Sequence, residues 1–231
     1  MFINTFNTMA GSGTAENPYE ITNIAQLQSM SEDLSATYEL GCDIDASETS
    51  DWNDGKGFKP IGNIEDDSHK GDIDYELYNP FTGTLLGNNY TIKNLYINRP
   101  DEHNIGLFGA IDSDGSVKEL NLSESRIKGN FAVGGVVGYN KQGDITSTVV
   151  SDVVVKGENL VGGFAGFNNR DCMVMDVKCS DTYLFANGTV GRIVGENLGY
   201  IINYEYSNCG SVGEADVGEI CGCNSGKIVL D

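Results

Sequence analysis

Two carboxylates spaced two residues apart ahead of a glycine, Asp112 and Asp114 in "DSDG", are the side chains in this sequence best placed to hold a cation. Calcium takes its oxygens from short turns in which alternate residues point inward, and this spacing matches half of such a loop. Acidic residues are denser elsewhere: Asp43, Asp45, Asp51 and Asp54 in "DIDASETSDWNDGKG", and Asp66, Asp67, Asp72 and Asp74 around "EDDSHKGDID". Those stretches are turn-like, and their charge reads as solvated. Acid–base work on a glycosidic bond needs two carboxylates at a fixed separation across a cleft, which sequence spacing does not specify.

Six cysteines, Cys42, Cys172, Cys179, Cys209, Cys221 and Cys223, form an even set and are the disulfide candidates of an oxidising compartment. Cys221 and Cys223 flank a single glycine, a spacing that fits neither a zinc knuckle nor a redox pair. The histidines, His69 and His103, stand in polar stretches, and no G-x-S-x-G elbow is present. Trp52, Tyr75, Tyr78 and Phe81 offer either an aromatic platform for a sugar or, the blander reading, anchors that pack the segment 50–82 against its neighbours. Sequons at Asn89, Asn121 and Asn187 permit glycosylation of a secreted chain.

The elements that position these groups are set by a repeat. The strings "NIGLFGAI", "AVGGVVGYN", "LVGGFAGFN", "TVGRIVGEN" and "DVGEICGCN" align on Gly109, Gly138, Gly166, Gly195 and Gly222, at intervals of 29, 28, 29 and 27 residues. A period near 28 marks a unit that cannot bury its apolar face alone and must stack on its neighbours. Apolar and polar residues alternate after each string, as at Val117, Leu120 and Leu122, with Gly, Asn, Asp and Ser as punctuation. That is strand patterning, two or three short strands per coil, without helical periodicity. The fold expected is all-β: a right-handed parallel β-helix, its hand following the rule for parallel crossovers. In such a coil the glycines supply positive φ and close backbone approach. Asn140, Asn168, Asn197 and Asn224, each two residues past its glycine, read as turn residues with left-handed backbone. Cys221 falls where Val137, Ala165 and Val194 stand, so it reads as a packed, lumen-facing thiol.

Upstream, Ile24, Leu27, Met30 and Leu34 share a helical face, with Asn23 and Gln26 placed as a capping pair. Residues 1–80 are therefore expected to form an N-terminal cap with a short helix, irregular first coils and an insertion at about 50–80. Residues 81–231 carry the regular repeats. The strings quoted above, each followed by an isoleucine- or valine-rich strand, resemble GLUG-motif repeats, found in surface proteins and adhesins of bacteria and archaea. The segments "GSGTAENPYEITNIAQLQSM", "YELGCDIDAS", "FKPIGN" and "FTGTLLGNNYTIKNLYI" match what commonly precedes them. The resemblance implies a β-helical architecture and a surface location, and leaves activity open.

Composition narrows the partners. A net charge of −20, from 14 basic and 34 acidic residues, disfavours nucleic acid and anionic membranes. No apolar run is long enough for a membrane span. The start "MFINTFNTMAGSG" lacks the basic and apolar regions of a signal peptide, so an extracellular destination implies that the signal has been removed. The first functional expectation is an extracellular structural protein, a self-assembling subunit of a cell-surface sheath, surface layer or fibre. Its partner would be a second copy, paired through the apolar edge Ile228, Val229 and Leu230. The alternative is an adhesin module binding surface glycans or protein, and the third a polysaccharide-active enzyme. No residue set stands out as acid, base or nucleophile, so no turnover is expected, and no cofactor is required beyond structural calcium at Asp112 and Asp114.

Overall fold

The computed structural model describes residues 9–64 and 78–230. It is a parallel β-solenoid of about five turns with one short helix near its N-terminus. The coil beginning at Phe131 shows the plan. It contains five strands, Phe131–Gly134, Val137–Asn140, Gly143–Thr146, Val149–Ser151 and Val154–Gly157. Each pairs in parallel with its equivalent one coil later, as in Val133 with Val161, Val137 with Ala165 and Val155 with Leu184. The two or three strands expected from the alternation are thus five. Each extra corner inserts one residue that shifts the inward alternation by a place, so that the buried positions across it, Ile145 and Thr148 or Val150 and Val153, are three apart.

Those corners are where the left-handed backbone resides. Glu119 and Ser147 have positive φ between the third and fourth strands of their coils, Asp176 and Asn203 at the equivalent place inside the longer strands Met173–Ser180 and Tyr200–Ser207, and Glu124, Asp152, Asp181 and Asn208 just before the strand that follows. Asn and Asp tolerate this region because their short polar side chains bond locally, which explains why so much acid collects at the turns. Asn208 Nδ2 donates to Asp181 Oδ1 at 2.5 Å, and Asn203 Nδ2 to Asp176 Oδ1 at 3.1 Å, tying corners of adjacent coils together. The repeat glycines take no part in this. Among the described residues, positive-φ glycines are confined to Gly11, Gly13, Gly55, Gly57 and Gly62. The expectation that the repeat glycines supply positive φ is therefore corrected, while close approach holds: a Cβ on Gly166 would lie 2.4 Å from the Ala132 carbonyl carbon.

Inward-facing side chains stack into columns that fill the lumen. Tyr38, Leu85, Val117, Ile145, Val174 and Ile201 form one, each in register with the next and each fully buried. Ile97, Ile127, Val155 and Leu184 form another. Burying such a side chain contributes about 1.5–3 kcal/mol, so the stack of columns supplies the principal driving force for the fold.

The solenoid starts well before the regular repeats. Tyr19–Ile21 and Thr37–Leu40 pair in parallel and continue the sheet that includes Thr84–Leu86, and Ile44–Asp45 pairs with Thr91–Lys93. Between the first two lies the helix Ile24–Ser29, where Asn23 accepts from the Gln26 backbone N–H and Gln26 Oε1 accepts from the Thr22 N–H. Ile24, Leu27 and Met30 are buried in the core and close the lumen at this end. Ile61 and Phe81 each bridge to the Phe108–Ile111 strand, so the described residues on both sides of 65–77 meet one wall. His69, Tyr75 and the acidic residues Asp66, Asp67, Asp72 and Asp74 lie outside the described residues.

Candidate functional site

The recurring asparagines end their strands with extended backbone and meet inside the wall. Asn140 Nδ2 donates to Asn168 Oδ1 and Asn168 Nδ2 to Asn197 Oδ1, both at 2.9 Å, and Asn197 Nδ2 to Asn224 Oδ1 at 2.8 Å. The first three are fully buried. They are a side-chain ladder along the solenoid axis, which corrects their reading as left-handed turn residues. The ladder has a direction, every amide giving to the next coil. Asn140 Oδ1 has no donor because the preceding coil places Ile111 in register there. At the other end, among the described residues, Asn224 Nδ2 meets only the Gly226 carbonyl, at 3.5 Å.

The acidic pair proposed for calcium is held differently. Asp112 is buried, and its carboxylate accepts from Lys141 Nζ at 3.1 Å and from the Tyr78 hydroxyl. The Lys141 ammonium also sits 4.5 Å over the Tyr78 ring. A cation is already supplied by the protein, and Asp114 is not drawn into this group. Among the described residues, no three His, Cys, Asp or Glu side chains converge as metal ligands. Neighbouring Asp144 has its carboxyl held above the ordinary range, chiefly by burial, with Asp114 adding to the effect. Of the aromatic set, Phe81 is core and packs on Phe108 at 4.7 Å, and Trp52 packs against the core, so they serve as anchors.

The six cysteines are free thiols. Cys42 bonds the Thr22 carbonyl near the N-terminal cap, remote from the others. Cys172 is buried in the wall, and burial pushes its thiol up to about 11. Cys221 continues the column of Val137, Ala165 and Val194, as its alignment suggested. The structure brings one pair together: Cys179 Sγ and Cys209 Sγ are 3.3 Å apart. The hydrogen bond shared by the two thiols holds the more accessible Cys209 below its ordinary range and raises the buried Cys179. Arg192, 4.8 Å over the Tyr206 ring, adds positive potential here.

The fifth strands of successive coils make an exterior face. Tyr96, Arg126, Val154 and Tyr183 stand in register in one outward row, and Asn98, Lys128, Lys156 and Phe185 in the next. These rows line a depression of about 450 Å3. Tyr183 and Phe185 are 46% and 37% exposed, large fractions for rings in the middle of a wall. These rings lie outside the 50–82 segment, where the aromatic platform is expected from the sequence. The usable signal was the residues on either side of each inward Ile, Val or Leu in "YIN", "RIK", "VVK" and "YLF".

At the last described coil, Ile228 continues an inward column but is only half-buried, while Val229 and Leu230 are 39% and 65% exposed. Val217, last of the column through Val133, Val161 and Val190, is exposed as well. No described helix is long and apolar enough to cross a membrane.

No family model matches the chain. Over 136 residues it is 39% identical to halomucin of Haloquadratum walsbyi, a match covering 57% of this chain and 1% of halomucin. Over 135 residues it is 36% identical to the "Putative Gly-rich membrane protein" of Evansella cellulosilytica, covering 56% of this chain and 14% of that protein. The chain thus spans a small part of either relative. Among solved structures, a "putative immunoglobulin A1 protease" from Bacteroides ovatus superposes with a TM-score of 0.66 over 95% of this chain and 76% of its own, at 19% identity. That similarity shows the fold, a β-solenoid, and at this identity the fold alone.

Proposed function

We propose that the protein is a structural element of the cell surface. In this reading its coils stack on one another and, at the last described coil, on a coil of a second copy, building a sheath, surface layer or fibre. The observation that carries the reading is axial: lumen columns and asparagine ladder run one way and reach that coil with members able to receive another. Asn224 has an amide with one long contact, and Val217 and Ile228 present apolar surface to the same end. An additional coil would extend the ladder by one bond and bury those side chains, the two kinds of interaction that hold the coils already present. The GLUG-like motifs and the two relatives, one named as a membrane protein, support a surface location. Labelling of intact producing cells with a membrane-impermeant amine reagent tests the location. The protein is expected to be modified before lysis, and protection until lysis refutes it.

We also infer that the protein turns over no polysaccharide. Asp112 is engaged by Lys141, and exposed His103 faces the Phe131 ring at 6.3 Å rather than a carboxylate partner. Incubation with a panel of neutral and acidic glycans, read by reducing ends, is expected to give none above blank. Release abolished by one acidic substitution reverses this inference.

A further inference from the structure

The outward rows of the fifth-strand wall differ from the rest of the surface in both charge and ring content. The protein carries a net charge of −20, yet the depression on this wall is lined by Arg126, Lys128 and Lys156 and by no carboxylate. Among the described residues none of these three cations has an ion-pair partner. Lys128 and Lys156 are in register on adjacent coils, and Arg126 is two residues before Lys128 on the same strand. Stacked strands lie about 4.8 Å apart, so the three cations form a compact triangle on a rigid face. Around them stand the rings of Tyr96, Tyr183 and Phe185, with Lys156 Nζ 5.0 Å over Phe185.

Holding three unpaired cations this close costs mutual repulsion that a bound anion relieves. Aromatic rings beside them offer flat apolar faces of the kind that stack on the C–H faces of sugars. From this arrangement we propose that the wall binds a chain of acidic sugars, its carboxylates or sulfates on Arg126, Lys128 and Lys156 and its ring faces on Tyr183, Phe185 and Tyr96. One feature separates this occupant from an acidic peptide. The backbone groups of the inner strands of this wall are already used in the ladder, which excludes an added peptide strand on its face and leaves recognition to side chains. The adjoining depression, lined by Asp101, Glu158 and Glu214 as well as Lys128 and Lys156, sets an acidic boundary on one side. The proposal is independent of the structural role above.

Immobilised protein would be probed with polygalacturonate, dextran sulfate, neutral dextran and poly-L-glutamate. Polygalacturonate or dextran sulfate is expected to bind and neutral dextran not to. The triple variant Arg126→Gln, Lys128→Gln, Lys156→Gln is expected to weaken that binding at least tenfold, and Tyr183→Ala with Phe185→Ala to weaken it several-fold without affecting the salt dependence. Lys178→Gln, which lies on another wall, is expected to change nothing. All variants are on the surface, and their circular dichroism and thermal unfolding report whether the fold is kept. No binding of either acidic glycan overturns the proposal. So does binding that the triple variant retains, or poly-L-glutamate binding as tightly as the glycans with Tyr183 and Phe185 dispensable.

Discussion

At the scale of single residues, the buried amides and thiols make the sharpest tests. Replacing Asn168 by Ala takes the donor from Asn197 Oδ1 and the acceptor from Asn140 Nδ2, in a wall where water cannot substitute. Leaving such groups unpaired costs about 1–3 kcal/mol each, so a loss of roughly 2–4 kcal/mol in denaturant unfolding is expected for Asn168→Ala, against about 1 or less for exposed Asn224→Ala. Asp144 gives a pH-dependent case. Its carboxyl is raised by burial, so the folded state favours the proton, and the associated stability is present below the unfolded value of about 3.9 and lost as pH rises through the folded one. Asp144→Asn is therefore expected to raise Tm at neutral pH, with the advantage fading near pH 3; an equal gain at both pH values contradicts it. For the thiol pair, limited iodoacetamide near neutral pH is expected to label Cys209 ahead of Cys221, whose thiol burial raises to about 11. Diamide, taking up two electrons and two protons, is expected to join Cys179 to Cys209, as peptide mapping would show. The pairing itself was not legible in the sequence: six cysteines allow many partners, and only the coil register brings residues 30 apart within 3.3 Å.

At the scale of elements, the stacking of strands sets which substitutions a coil tolerates. A Cβ at Gly166 meets the Ala132 backbone at 2.4 Å, whereas at Gly210 the nearest atoms belong to the Tyr183 ring, 3.0 Å away and free to move. Gly166→Ala is expected to cost about 1–3 kcal/mol or more and Gly210→Ala clearly less, measured by the same unfolding assay. The repeat period, the columns and the helical cap could be read from the sequence because burial imposes the alternation and the register directly. The corners could not, since Glu119, Ser147 and Asp152 look like ordinary polar residues until their backbone is seen to be left-handed. The asparagine ladder is hidden in the sequence for the same reason. An Asn two residues after a glycine suits either a corner or a ladder, and only the positions one coil away separate the two.

At the scale of the whole molecule, the described coils share one axis, covered at the first by a helix and presenting core side chains at the last described one. The helix Ile24–Ser29 blocks stacking at the first coils, while Val217, Cys221 and Ile228 leave the lumen columns open at the last described one. Added coils of the same kind place their strands about 4.8 Å further along the same axis, so growth there is axial. The most direct measurement is light scattering with electron microscopy on the native protein released from its producing cells, beside Val217→Lys and Ile228→Lys, variants whose added charge has water in the free form and none once a coil is stacked on it. Concentration-dependent assemblies that lengthen along the coil axis, and dissociate in both variants while thermal unfolding of the free protein changes little, are the predicted result. Particles of single-copy mass at every concentration, or assemblies indifferent to both substitutions, would contradict it.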